Sequence, residues 1–302
     1  MSAETDRKWL TVALALIGVF MLGEVVVGLI AGSLALLSDA AHMLTDAGAI
    51  VLALIAMRLA ARQPRGGYTY GLKRAEILSA QANGLTMLIL AVWLGIEAVQ
   101  RLIDPPAVTG SLVLITALVG VVVNVGAAWA MSRANRSSLN VEGAFQHVLN
   151  DLYAFIATAI AGVIMVTTGF TRADPIATLI VVALMVKAGL ALVRESGRIF
   201  LEAAPAGLDP AALGAEIAAT GDVVEVHDLH VWQITSGQPA LSAHVLVRPG
   251  GDCHAARARI EELLRSRHRI THSTLQVDHA EIARPADPHC ADAHGVAYRS
   301  AT

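Results

Sequence analysis

Six apolar segments dominate the chain, near residues 9–30, 34–57, 78–100, 110–131, 144–169 and 175–194. Each approaches the roughly 20 residues that an α-helix needs to cross about 30 Å of hydrocarbon. A lipid interior leaves the backbone no partners except its own, so segments of this kind are restricted to helices packed on helices. The mean hydropathy of +0.58 suits that reading. Charge is sparse up to residue 200 and dense after it, and nine of the eleven His follow residue 200. The chain therefore divides into an apolar part and a water-soluble part of roughly 100 residues, enough for a modest core of its own.

The boundaries expected are a short N-terminus at 1–8, a six-span helical domain at 9–200, a soluble domain at 205–284 and a flexible tail at 285–302. Arg7 and Lys8 precede the first apolar run as in a signal peptide. The run continues past Glu24 with no small-residue cleavage pattern, which predicts an uncleaved first span. Eleven Lys and Arg fall in loops on one side of the spans and only Arg101 and Arg172 on the other. The positive-inside rule then puts both termini and the soluble domain in the cytoplasm. Gly18, Gly23, Gly28 and Gly120 are read as close-packing positions, and Asn83 and Asn124 as polar glue between helices. A net charge of −3 gives no case for a nucleic-acid partner. Two cysteines, Cys253 and Cys290, make no disulfide framework.

Two spans carry the same pattern, His42-x-x-x-Asp46 and His147-x-x-x-Asp151. Residues at i and i+4 share a helix face. An Asp at a span centre costs about 2.5–3.5 kcal/mol on insertion scales, so two matched pairs call for a reason. Two imidazoles and two carboxylates can surround one zinc-sized dication in a tetrahedron. Magnesium and calcium prefer more oxygen ligands. Two carboxylates also balance the dication, and binding requires neutral His and ionised Asp, so metal and protons compete for the same groups. Asp39 and Glu24 are pathway residues by position, with helix-end or structural roles as the alternatives.

The run Ser-Asp-Ala-Ala-His-Met-Leu-Thr-Asp at 38–46 resembles the signature of the cation diffusion facilitator family. So do the second pair at His147 and Asp151, Tyr70-Gly71, Arg74-Ala-Glu76 and His227-Asp-Leu-His-Val-Trp232. The resemblance covers nearly the whole chain. It implies a six-span homodimer in the bacterial inner membrane, surrounded by lipid, that exports zinc against protons by alternating access. Cadmium and cobalt are the alternative substrates, and a His/Asp pair on both helices resembles the zinc-selective branch. Residues 65–73 hold no Asp, Glu or His, so the extra loop site of some bacterial relatives is not expected. Residues 131–139 hold no His, so a metal-gathering loop is not expected there either.

After Pro205 the pattern reads helix 210–219, strands 225–235 and 240–248, helix 253–267 and strand 273–279. That αββαβ order is a small sheet with helices on one face, like the metallochaperone-type domain of this family. Within it the resemblance implies zinc ligands at His227, His244 and Asp278, with His254 added in some relatives. Gln276 stands where certain relatives have a His ligand. His289, Cys290 and His294 in the tail are either further ligands or a free end. A membrane metalloprotease would be expected to show His-Glu-x-x-His, which does not occur, and no output domain of a metal sensor is recognisable.

Overall fold

The computed structural model describes residues 3–31, 34–104, 110–134, 138–280 and 295–300. The chain forms two compact units, Met1–Gly197 and Arg198–Thr302. The first unit contains helices α1 (Ala3–Ala31), α2 (Leu34–Ala60), α3 (Ala75–Ile103), α4 (Gly110–Ser132), α5 (Leu139–Thr168) and most of α6 (Ala173–Phe200). Each helix matches an apolar segment of the sequence and overruns it by up to six residues, because Lys, Arg and Glu at the ends are good helix formers. Among the described residues, Ala75–Ile103, Leu114–Ser132, Leu139–Thr168 and Ala173–Phe200 are long and apolar enough to span a bilayer. The expectation was six. α1 and α2 are 29 and 27 residues long, and many of their side chains lie outside the described set.

Among the described residues, two main apolar clusters hold the helices together. Leu10, Ala13 and Ile17 of α1 pack with Ile50 and Ala53 of α2, Ala127 and Met131 of α4, and Val141, Ala144 and Val148 of α5. Ala91 of α3 joins Val181 and Met185 of α6, with Ala154 and Ala157 of α5 against them. α5 therefore takes part in both cores and packs on α2, α3 and α4. Trp9 and Trp129 meet edge to face at 5.5 Å, with the Arg133 guanidinium over the Trp129 ring, so the start of α1 and the end of α4 share one end of the bundle.

The close helix contacts differ in part from those read in the sequence. Among the described residues, Gly18 and Gly23 have nothing within 4 Å of an added Cβ, and Gly28 is described only as helical backbone. Gly120 does pack closely, beneath Phe155. The backbone-to-backbone approach is at Gly84 and Gly189, where a Cβ on Gly189 would lie 3.0 Å from the Gly84 carbonyl oxygen. Small residues permit contact only where another helix crosses, and spacing along one helix does not report that.

The second unit follows the expected order α7 (Pro210–Ala218), β1 (Val223–Thr235), β2 (Gln238–Val247), α8 (Cys253–His268) and β3 (His272–His279). β1 and β2 form an antiparallel hairpin, with Gly237 at φ 70 in its two-residue turn. β3 returns parallel to β2 after the α8 crossover. A two-residue strand, β4 (Tyr298–Arg299), pairs with the outer side of β1, giving the order β3-β2-β1-β4. The far end of the tail read as flexible is thus part of the sheet, and the Tyr298 ring covers Gly214 of α7. Leu213, Ile217, Ile260 and Leu264 of the two helices close the apolar face against Leu241, Ala243 and Val245.

Glu216 on α7 ties this layer to the end of α8, where Arg267 and His268 both reach its carboxylate, the latter at 2.7 Å. His268 first, then Arg267, hold the Glu216 carboxyl below the usual carboxylate range. A depressed pKa contributes stability above the unfolded value and loses it as pH falls through the folded value. Glu216→Gln in the full-length protein should speed amide exchange in α7 and late α8 at neutral pH about two- to fivefold, the range of an exposed ion pair. The difference from wild type should vanish below the carboxylate range; a difference constant with pH would contradict it. Gly189→Leu should lower stability by about 1–3 kcal/mol through overpacking, read as a drop in thermal midpoint that Gly18→Leu does not share.

Candidate metal-transport site

His147 lies in the first half of α5, eight residues after the N-terminal Leu139, and is 3 % exposed. One turn on, the Asp151 carboxylate lies 3.6 Å from its Nδ1, within ion-pair range and beyond hydrogen-bond range. Helical spacing makes this pair, as the sequence predicts. Around it α5 is polar along one edge: Gln146 Nε2 donates to Glu142 Oε1 at 2.6 Å, and Asn150 Nδ2 donates to the Gln146 carbonyl at 2.8 Å. Four residues before His147, Gly143 faces Ala80 and Asn83 of α3 and Leu192 of α6. The site helix is thus walled by close-packed neighbours.

His42 and Asp46 lie on helical backbone in α2, as do Asp39 in α2 and Glu24 in α1. Their side chains lie outside the described residues. Among the described residues no three His, Cys, Asp or Glu side chains converge as a metal centre. The structure therefore describes the side chains of one half of the expected four-ligand set, on α5. α2 and α5 pack directly on one another through Ile50, Ala53, Val141 and Ala144. Asn140, which the sequence reading did not single out, donates from Nδ2 to the Ala53 carbonyl at 3.0 Å and is fully buried. The cross-helix bond expected of Asn124 is instead a bond to Gly120 of its own helix, at 3.0 Å. Asn83 is buried against Gly143 of α5.

In the second unit His227 and His244 stand opposite each other on β1 and β2, ring centroids 5.4 Å apart. They face away from α7 and α8, because Val226, Ala243 and Val245 take the alternate positions and fill the core. Glu225 lies 3.3 Å from His227 Nδ1. Between His227 and His230 the register slips, and Asp228 takes a left-handed φ of 52 that Asp tolerates better than most residues. The extra residue brings His230 onto the face of His227. It also sets the Asp228 carboxylate 2.8 Å from His230 and 3.9 Å from His244. Glu225 and the side-chain role of Asp228 went unread in the sequence, since a bulge leaves no periodic signal.

The other expected ligands of this unit are less close. Gln276 is opposite His244, and Asp278 lies two residues further along the same face of β3, bonded by Gln276 Nε2 at 2.9 Å. His254 is exposed in the first turn of α8, the helix on the opposite face of the sheet, and its backbone N–H goes to Asp252. Asp252 caps that helix, and the backbone N–H of Ala255 above all holds its carboxyl below the usual range. His279 points to the helix side, with Nε2 on the Gly251 carbonyl at 2.9 Å and Cys253 Sγ at 3.7 Å. His289, Cys290 and His294 lie outside the described residues.

Comparison with known proteins agrees with this layout. Residues 10–201 match the cation efflux transmembrane domain, and residues 206–280 the cytoplasmic domain of cation efflux proteins. The chain is 36% identical to the zinc transporter ZitB of Pectobacterium atrosepticum, over 94% of this chain and 88% of that protein. It is 34% identical to the cadmium, cobalt and zinc/H(+)-K(+) antiporter of Bacillus subtilis, over 90% and 89%. It is also 34% identical to the metal cation efflux system protein CzcD of Cupriavidus metallidurans, over 90% and 87%. Both units are covered by matches of the same family, and the chain belongs to the cation efflux (cation diffusion facilitator) transporters.

Proposed function

We propose that this chain exports zinc from the cytoplasm in exchange for protons, through a site of His42, Asp46, His147 and Asp151. The observation that carries the reading is the buried His147 with Asp151 at 3.6 Å, inside a helix apolar enough to span a membrane and packed on α2. An ionisable pair at that depth is expensive when idle and useful when it carries a cation. With His42 and Asp46 supplied by α2, two nitrogens and two oxygens meet the preference of zinc for four ligands. The two carboxylates neutralise the dication, and the emptied site takes up protons in its place. Exchange then needs only that the same groups face each side in turn. Zinc is the substrate that the ligand set favours, and the named relatives include carriers of zinc, cadmium and cobalt. Glu24 and Asp39 serve the pathway on α1 and α2.

The finer arrangement belongs to the same proposal: six spans, both termini on the cytoplasmic side of a bacterial inner membrane, and a homodimer joined through the second unit. The excess of Lys and Arg in alternate loops supports the orientation. The paired rings of His227 and His244, flanked by Glu225 and Asp228, support a regulatory zinc site on the cytoplasmic domain, with Asp278 on the same face as a further ligand and His254, on the helix side of the sheet, outside it. Metal bound there would favour one arrangement of the dimer and so bias transport.

Zinc flux into proteoliposomes under an imposed pH gradient tests the transport site. Asp151→Ala should lower kcat/KM at least about 100-fold, roughly 2.8 kcal/mol; rates equal to wild type would sink the assignment. Replacing His227 and His244 together by Ala should change flux at low zinc and leave it unaltered at saturating zinc. Flux unchanged at every zinc concentration would refute regulation through this domain.

A further inference from the structure

Asn140 has no obvious place in a purely apolar seam. It is 0 % exposed, and among the described residues its Oδ1 has no hydrogen-bond partner. A buried acceptor left unmade costs about 1–3 kcal/mol, and an apolar residue of similar size would avoid that cost. What the amide provides is its single bond to the Ala53 carbonyl, across 87 residues of chain and between two different helices.

The position of that bond links it to the transport site. Helices joined by short connections reverse direction at each crossing, so α2 and α5, three connections apart, run antiparallel. Ala53 is seven residues after Asp46, and Asn140 is seven residues before His147. Seven residues advance an α-helix by about 10.5 Å and return it to nearly the same face. Stepping back from Ala53 and forward from Asn140 by that amount therefore brings Asp46 level with His147. One further turn on each helix brings His42 level with Asp151. The buried seam agrees with this register, since Ala47 and Ile50 of α2 share one apolar cluster with Val141 and Ala144 of α5, all between the two levels.

We infer that Asn140 is a positioning residue for metal transport: its bond to the Ala53 carbonyl sets the register of α2 against α5, and so brings the two His/Asp pairs to one depth. A lone buried Asn sets register in the same way in coiled coils, at a cost in stability. A slip of one residue on either helix moves its ligands by about 1.5 Å along the axis and turns them by about 100°. That is ample to spoil a tetrahedral site. The inference rests on the four-ligand reading of the preceding subsection.

The test uses full-length protein in proteoliposomes, comparing Asn140→Leu, Asn140→Gln, Asn140→Ala and Asp151→Ala, with zinc and cadmium as separate substrates. Asn140→Leu should keep or raise the thermal midpoint, since it removes a half-satisfied amide from an apolar seam. It should nonetheless raise KM for zinc about tenfold and change the zinc-to-cadmium ratio of kcat/KM at least about threefold, because one geometry has replaced another. Asn140→Gln retains a donor and should restore part of both. If Asn140→Ala does not insert, the Leu and Gln variants decide the matter. Wild-type KM and metal ratio in Asn140→Leu, beside an inactive Asp151→Ala, would overturn the positioning role alone. Wild-type transport by Asp151→Ala would overturn the four-ligand reading itself.

Discussion

An ionisable side chain inside a lipid-spanning helix has to be compensated by something that water provides elsewhere. In α5 the His147 imidazole and the Asp151 carboxylate sit 3.6 Å apart among apolar neighbours, where the low dielectric magnifies both their attraction and the cost of holding them. A cation or protons can supply the compensation, and the same carboxylate cannot serve both at once. Exchange of metal for protons is then a consequence of burial and needs no separate proton wire. The rest of the membrane unit is arranged around that constraint. α5 is the helix shared by both apolar cores, so the costly pair rides on the element gripped from most sides.

The second unit solves a different problem with the same residue types. Its sheet hides one face under α7 and α8 and leaves the other polar, which lets imidazoles gather beside carboxylates outside the apolar core. His227 and His244 meet there because they are paired across the hairpin, and Asp228 meets them because a bulge turns it out of the regular alternation. In the proposed function such a surface binds cytoplasmic metal while the membrane helices remain apolar. The two units therefore divide carriage from sensing in the proposed function.

Much of this was legible in the sequence, for physical reasons. Long apolar runs have only one hydrogen-bonded solution in lipid, so the helices followed from hydropathy, and the i, i+4 spacing already joined His147 to Asp151. The strands of the second unit showed in their alternation, and its two helices begin at Pro210 and Cys253, where the sequence placed them. The features that were missed depend on distant partners. Gly84 and Gly189 are no different in sequence from Gly18, where an added Cβ would meet nothing among the described residues. Asn124 bonds within its own helix and Asn140 across to another, and neither choice is written in the local pattern. Tyr298 and Arg299 form too short a strand to show a period, yet they close the sheet edge.

The central claim is that metal and protons compete for one set of His and Asp groups in the membrane, and zinc affinity as a function of pH tests it most directly. The measurement uses purified full-length protein with His227 and His244 replaced by Ala, so that the membrane site dominates. Zinc affinity should weaken progressively as pH falls through the imidazole range, from about 7.5 to about 5.5, with proton release on binding. His147→Ala should bind weakly and lose most of that dependence. Tight zinc binding that is independent of pH across this range, or unaltered by His147→Ala, would contradict the account.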